Sequence, residues 1–257
     1  MEFCGITNSG KIRKHNQDVF KMQTNEDKDV VVLVVCDGMG GANAGNVASE
    51  TAAGAFMDHM KSILYNAGNT TQSEIASLMV DAVLAANTAV YDKSLQDEEF
   101  EGMGTTLTAA VSTNDGEVVV NIGDSRLYHV TNGKITQITR DHSVVEDMIE
   151  KGEITRNEAR RHPSRNLITR ALGTGYYEPP DVFFLKMDSS DTIILCSDGL
   201  SNVVTDNEIQ FESQRDTSVH EMCDSLVDMA LTRGAPDNVT VVILKKQQKE
   251  DDYGELR

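Results

Sequence analysis

Residues 30–38 read VVVLVVCDG and residues 192–199 read TIILCSDG. Each is an apolar run of strand length closed by an acid and a glycine, Asp37-Gly38 in the first and Asp198-Gly199 in the second. Two further acids sit at strand ends. VVVNIGD closes on Asp124, and DNVTVVIL opens on Asp237. In antiparallel neighbours the end of one strand lies beside the start of the next, so Asp237 can meet Asp37 and Asp198 at one sheet edge. Glycine beside the acid permits a sharp turn and lets a carbonyl face the same point. Carboxylates gathered this closely repel one another unless a cation neutralises them. The donors are all oxygen, which predicts a hard ion, Mg²⁺ or Mn²⁺. Any one Asp-Gly pair reads equally well as a simple turn. Four such acids, two of them in near-identical contexts, read as a site.

Outward from these stretches, strands are expected at 30–36, 106–112, 117–122, 126–131, 182–186, 192–196 and 239–244. Asn114-Asp115-Gly116 and Thr131-Asn132-Gly133 read as hairpin turns. Two helices are expected early, about 45–64 and 72–94, joined by the polar connector 65–72 and hence antiparallel. The second opens on a capping box, Thr71 with Glu74. Ser143 with Glu146, Thr155 with Glu158, Thr205 with Glu208 and Ser218 with Glu221 repeat that pattern ahead of later helices. The strand–turn–strand rhythm favours antiparallel sheets over βαβ units. No repeat or long linker divides the chain, so one domain is expected over 1–245, with a polar, fraying tail at 246–257.

The chain has 257 residues and carries 41 acidic against 23 Lys and Arg side chains, a net charge of −18. That balance excludes nucleic acid as a natural partner and argues against anionic membranes. The four cysteines form no CxxC pair, which removes zinc-ribbon and thioredoxin chemistry. A cysteine-based phosphatase needs Arg six residues after its Cys. Gly10, Ala42, Asn202 and Met229 stand there instead. The Gly-rich run from Asp37 to Gly45 lacks the spacing and lysine of a nucleotide P-loop. No leader-like apolar run opens MEFCGITNSG, so a cytoplasmic, reduced setting is expected.

The ordered motifs RKHNQD (13–18), DGMGG (37–41), GTT (104–106), GDSR (123–126), DHS (141–143), SDGL (197–200) and DNVT (237–240) resemble the PPM family. These are the metal-dependent, 2C-type serine/threonine protein phosphatases. The stretch GEITRNEARRHPSRNLITRALG (152–173) resembles the bacterial branch. The likeness spans Gly5 to Leu244.

The resemblance implies an α+β fold, an αββα sandwich of two antiparallel sheets flanked by paired antiparallel helices, with a flap subdomain at about 143–172. It implies two metal ions, Mn²⁺ or Mg²⁺, with a possible third. Asp37 would bridge both ions, and the Gly38 carbonyl would bind one. Asp198 and Asp237 would bind the other, and Asp18 would hold metal-bound water. Asp124 and Asp198 would serve the third ion. A metal-bridged hydroxide would attack phosphorus in line. Arg13 matches the phosphate-binding arginine, whose planar fork suits two phosphate oxygens. Some animal members carry His directly after the first Asp-Gly. Met39 stands there in this chain, which leaves the general acid open between a metal-bound water and, less favoured, His142. His142 is expected to be structural. The GTT motif is expected to set strand packing.

The flap stretch 151–170 holds Lys151, Arg156, Arg160, Arg161, Arg165 and Arg170 against Glu153 and Glu158. This basic island either draws phosphopeptides or is a solvated face paired to acids. The expected activity is hydrolysis of phosphoserine and phosphothreonine in proteins, reversing a serine/threonine kinase in a bacterium. The alternative is a silent pseudophosphatase acting as a binding module. The intact acids and Arg13 weigh against it. The expected partners are phosphorylated proteins, and a monomer is expected.

Overall fold

The computed structural model describes residues 1–41, 44–66 and 70–246. The strands, in chain order, are β1 (Glu2–Asn8), β2 (Asp18–Asn25), β3 (Val30–Met39), β4 (Gly104–Thr105), β5 (Leu107–Thr113), β6 (Gly116–Ile122), β7 (Arg126–Thr131), β8 (Lys134–Gln137), β9 (Asp181–Leu185), β10 (Thr192–Cys196) and β11 (Val239–Lys245). One sheet runs β1-β11-β10-β7-β8. The other runs β2-β3-β5-β6-β9, with β4 paired to the end of β3. Pairing is antiparallel throughout these strands. The helices are α1 (Ala44–Met60), α2 (Ile63–Asn66), α3 (Gln72–Ser94), α4 (Val144–Glu150), α5 (Arg156–Ala159), α6 (Asp198–Ser201), α7 (Asp206–Ser213) and α8 (Val219–Thr232).

The unbroken apolar run of β3 explains the layering. Side chains alternate across a strand, so an all-apolar strand needs cover on both faces. Val31, Leu33 and Val35 pack between the sheets with Leu127, Ile193, Leu195 and Val242. Val30, Val32, Val34 and Cys36 face the other way, onto Ala48, Ala52 and Phe56 of α1 and Met79 and Val83 of α3. On the opposite flank α8 lays Cys223, Leu226 and Val227 on Tyr128, Ile194, Val241 and Ile243. The order of layers is helix, sheet, sheet, helix.

Several expectations hold in detail. α3 starts where its capping box places it, with both reciprocal bonds formed between Thr71 and Glu74. The boxes at Thr155 and Ser218 also close, while at Thr205 the Glu208 carboxylate accepts the Thr205 N–H at 2.9 Å but the Thr205 side chain makes no cap bond in return. Asn132 and Gly133 both have positive φ, as a tight hairpin turn between β7 and β8 requires. The expected helix 45–64 is two pieces, because the chain breaks at Lys61-Ser62 while Ile63 and Leu64 stay buried and keep the apolar period. The Ser143 box is only half formed. Ser143 caps the Glu146 N–H, but the Glu146 carboxylate turns to Arg156 at 3.2 Å instead. Part of the connector 65–72 and the tail from 247 onward lie outside the described residues. Lys246, the first tail residue, is held by a 2.7 Å ion pair to the buried Glu117. By length and composition α3 is apolar enough to cross a membrane, but Ile75, Met79, Ala82, Val83 and Ala86 bury it in the core.

Candidate metal centre

β3 does not turn at Asp37-Gly38. It stays extended to Met39, with Gly38 opposite Thr105 and Met39 opposite Gly104. Neither Gly38 nor Gly199 has a positive φ. Their role is close approach. A Cβ on Gly38 would stand 2.0 Å from the Gly45 carbonyl oxygen, and one on Gly199 would stand 1.8 Å from that of Asn238. The expected sharp turn is real only at Gly123, where φ is +101°.

This packing gathers the acids, but not at one sheet edge as expected: Asp37 lies in β3 of one sheet, while Asp198 follows β10 and Asp237 precedes β11 of the other, so the acids meet where the two stacked sheets end together. β2 begins with Asp18 directly opposite Asp37 on β3. Asp198 opens α6 at the end of β10, and the Ser197 N–H donates to the Thr240 carbonyl at 3.1 Å, which brings in the start of β11. Asn238, which sequence reasoning passed over, ties this loop to the segment carrying Arg13. Its Oδ1 accepts the Gln17 N–H at 2.8 Å, and its Nδ2 donates to the Ser9 and His15 carbonyls at 3.0 Å each. An Asp-Asn pair opening a strand beside a polar loop is the signal that could have found it.

The acids perturb one another. Burial, followed by the Ser197 and Thr240 hydrogen bonds that oppose it and the charges of Asp198 and Asp237, leaves the Asp18 carboxyl at about 7. Asp198 is pushed up to about 6 by burial and by Asp237. Asp37 is held well above the carboxylate range by burial, then Asp18, Asp198, Asp124 and Asp237. Asp124 is raised by burial, then by Asp198 and Asp141. Asp237 instead accepts Arg13 Nη2 at 2.7 Å. Asp237 is the first cause of the raised Arg13 pKa, with Asp198 and Asp37 adding to it. Asp198 also accepts Asn202 Nδ2 at 3.0 Å. Among the described residues no three His, Cys, Asp or Glu side chains stand as a ready-closed metal cage. Two of the acids are turned to Arg13 and Asn202.

The donor set nonetheless fits hard divalent ions. It is all oxygen, and its charges need neutralising. Asp18 Oδ1 is buried with no hydrogen-bond partner, and an orphaned buried carboxylate oxygen calls for a cation or a water.

The surroundings are set by the other motifs. Thr106 Oγ1 accepts the Asp37 N–H at 2.9 Å, and Thr105 Oγ1 donates to the Asp37 carbonyl at 3.0 Å, so the GTT motif pins this acid's backbone. His142 Nδ1 accepts the Gly123 N–H at 3.1 Å, and Nε2 lies 2.9 Å from Arg170 Nη1 and 3.2 Å from Asp181 Oδ2. His142 therefore braces the Asp124 turn, in line with a structural role. Cys36 and Cys196 are fully buried. Burial pushes both thiols up, Cys196 to about 12. A cleft of about 100 Å³ separates Asp124, Asp198 and Asn202 from Ile149, Arg160 and Arg165 of the segment after Ser143. That segment is closed at its base by the Val144 N–H to Leu167 carbonyl bond, 2.9 Å.

Residues 11–234 match the model of the family described as Protein phosphatase 2C. The chain is 35% identical over 240 residues to the serine/threonine phosphatase stp of Listeria monocytogenes, covering 93% of this chain and 94% of that protein. It superposes on the Mycobacterium tuberculosis serine/threonine phosphatase PstP/Ppp with a TM-score of 0.86 at 34% identity, covering 96% and 99% of the two chains. A PstP catalytic-domain structure in complex with two manganese ions gives a TM-score of 0.81 at 34% identity, with 94% and 96% covered. With the family model matched over most of the chain and relatives at 34–35% identity covered almost end to end, this protein belongs to the 2C family of metal-dependent serine/threonine protein phosphatases.

Proposed function

We propose that the chain hydrolyses phosphoserine and phosphothreonine in proteins, with Asp37, the Gly38 carbonyl, Asp198 and Asp237 holding two divalent ions, Mn²⁺ or Mg²⁺. Asp124 and Asp198 hold a third. When bound, such ions supply a water nucleophile ionised near neutral pH and its in-line orientation. The observation that carries the reading is the convergence of Asp18, Asp37, Asp124 and Asp198, each raised by burial and by charge from other acids of the cluster.

The protein groups divide the remaining work. Arg13 stands at the rim with one Nη on Asp237 and its side chain half exposed, so its other N–H donors are open to two phosphate oxygens. Asp18 Oδ1 is the buried atom free to take a proton from water at the centre. The flap covers about 143–172 of a single catalytic domain. Within it Arg156 pairs with Glu146, and Arg170 pairs with Asp181 and Glu178. Arg160 and Arg165 line the cleft and form no ion pair among the described residues, which suits a phosphorylated, acidic peptide. The partners are phosphoproteins, and the chain opposes a serine/threonine kinase as a cytoplasmic monomer in a bacterium.

The test is phosphate release from a phosphothreonine peptide with Mn²⁺, with Mg²⁺ and with EDTA, beside Asp198→Asn. Release that needs metal and collapses in the variant is expected. Release that persists in EDTA, or none from folded protein with any metal, would overturn the proposal.

A further inference from the structure

Asp18 sits in a hydrogen-bonded cradle whose direction is fixed. Its Oδ2 accepts the Ser197 hydroxyl and the Thr240 hydroxyl, both at 2.7 Å. These two residues come from the other sheet: Ser197 follows β10, and Thr240 lies in β11. Each hydroxyl is itself fed by a donor. The Thr240 backbone N–H donates to Ser197 Oγ at 3.0 Å. Thr240 Oγ1 lies 2.7 Å from Thr7 Oγ1, and Asn16 Nδ2 donates to Thr7 Oγ1 at 2.8 Å. Asn16 is oriented in turn, because its Oδ1 accepts the Asp18 N–H at 3.2 Å.

Amide N–H groups donate and cannot accept. An ionised carboxylate only accepts, and each hydroxyl has one hydrogen to give, so Ser197 and Thr240 both spend theirs on Asp18 Oδ2. The 2.7 Å contact between Thr7 and Thr240 is then donated by Thr7, whose own oxygen accepts from Asn16. Both branches end on Oδ2. That oxygen is spoken for, while Oδ1 of the same buried carboxyl has no partner. A carboxylate held through one oxygen by two hydroxyls has its plane fixed, and its second oxygen can point in one direction only.

We infer that Ser197 and Thr240, backed by Thr7 and Asn16, are positioning residues that aim Asp18 Oδ1 at the metal centre. The inference rests on the proposed metal reading and deepens it. The cradle also explains why the two sheets must be in register at this edge. Asp18 belongs to one sheet, and both of its anchors belong to the other.

The experiment is Mn²⁺ titration by calorimetry of the full chain, wild type beside Thr240→Val, Thr240→Ser and Asp18→Asn, with melting temperatures measured in EDTA. Valine keeps the shape of threonine and removes the hydroxyl. Loss of outer partners of a metal site weakens affinity by about 10–100-fold, and a loss of that size is expected for Thr240→Val. Thr240→Ser is expected to restore the affinity, because it keeps the hydroxyl. In the Asp18→Asn background, Thr240→Val is expected to add nothing further. Should Thr240→Val fold poorly, Ser197→Ala reports on the second anchor with the same expectation. A folded Thr240→Val that binds Mn²⁺ as tightly as wild type would overturn the inference and leave the metal reading standing. A further loss in the Asp18→Asn background would also overturn it. A wild-type chain that binds no Mn²⁺ would overturn the metal reading, and this inference with it.

Discussion

Replacing Asp198 by Asn should make the protein more stable at neutral pH in the presence of EDTA, although it should destroy the metal centre. The Asp198 carboxyl is raised from 3.8 to about 6 by burial and by Asp237. A group whose folded pKa lies above its unfolded one binds more protons in the folded state, so stability falls as pH rises through that window. For Asp198 the window runs from about pH 4 to about pH 7. At ~1.4 kcal/mol per pKa unit, the full cost is ~3 kcal/mol at pH 7.5 and about half that at pH 5. Asparagine keeps the shape and removes the charge. In EDTA the variant should therefore melt above wild type by about 6–12 °C at pH 7.5, taking ~2–4 °C per kcal/mol for a chain of this size. The gap should roughly halve at pH 5. His142, pushed down by burial, contributes the opposite slope, but it is common to both proteins and leaves the difference. Excess Mn²⁺ should reverse the order, since it stabilises the form that binds it. A variant less stable than wild type in EDTA at pH 7.5, or a gap that does not narrow by pH 5, would show that the Asp198 charge does not destabilise the metal-free fold.

Arg13→Lys should lower kcat/KM on a phosphothreonine peptide by roughly 10–150-fold, the equivalent of one charge-assisted hydrogen bond at about 1.5–3 kcal/mol. Its melting temperature should stay within about 1 °C of wild type, because the Arg13–Asp237 pair is half exposed and such pairs contribute little. Gly199→Ala places a Cβ 1.8 Å from the Asn238 carbonyl oxygen. It should cost about 1–3 kcal/mol in urea unfolding and weaken Mn²⁺ binding, because the clash pushes the loop carrying Asp237 away from α6. Unchanged stability together with unchanged affinity would contradict the close-approach role of that glycine.

The parts of the fold that sequence made legible are those where local chemistry and tertiary contacts agree. The run 30–36 reads as a strand because every position is apolar, and both faces of β3 are in fact covered. Thr71 and Glu74 mark the start of α3 because a capping box needs nothing beyond its own residues. β1, β2 and β8 were not legible. β2 (DVFKMQTN) and β8 (KITQ) are edge strands, with one side unpaired and a mixture of polar and apolar residues. β1 (EFCGITN) is also an edge strand, and it carries a glycine. Glu146 misled because a nearby arginine, Arg156, outcompetes the backbone N–H for its carboxylate. Within the site, acids at strand ends were readable from the repeated Asp-Gly grammar. The glycines were misread as turns, because only the packed structure shows Gly45 and Asn238 pressing on them. The links from Arg13 to Asp237 and from Asp18 to Thr240 span more than two hundred positions. No local pattern encodes them.

Whether these strand-end acids hold the divalent ions that the chemistry needs is read most directly from anomalous scattering by crystals grown with Mn²⁺. Two strong peaks are expected among Asp37, the Gly38 carbonyl, Asp198 and Asp237, with a third beside Asp124 and Asp198. Manganese bound elsewhere, with these side chains arranged as they are here and Arg13 still on Asp237, would contradict this assignment.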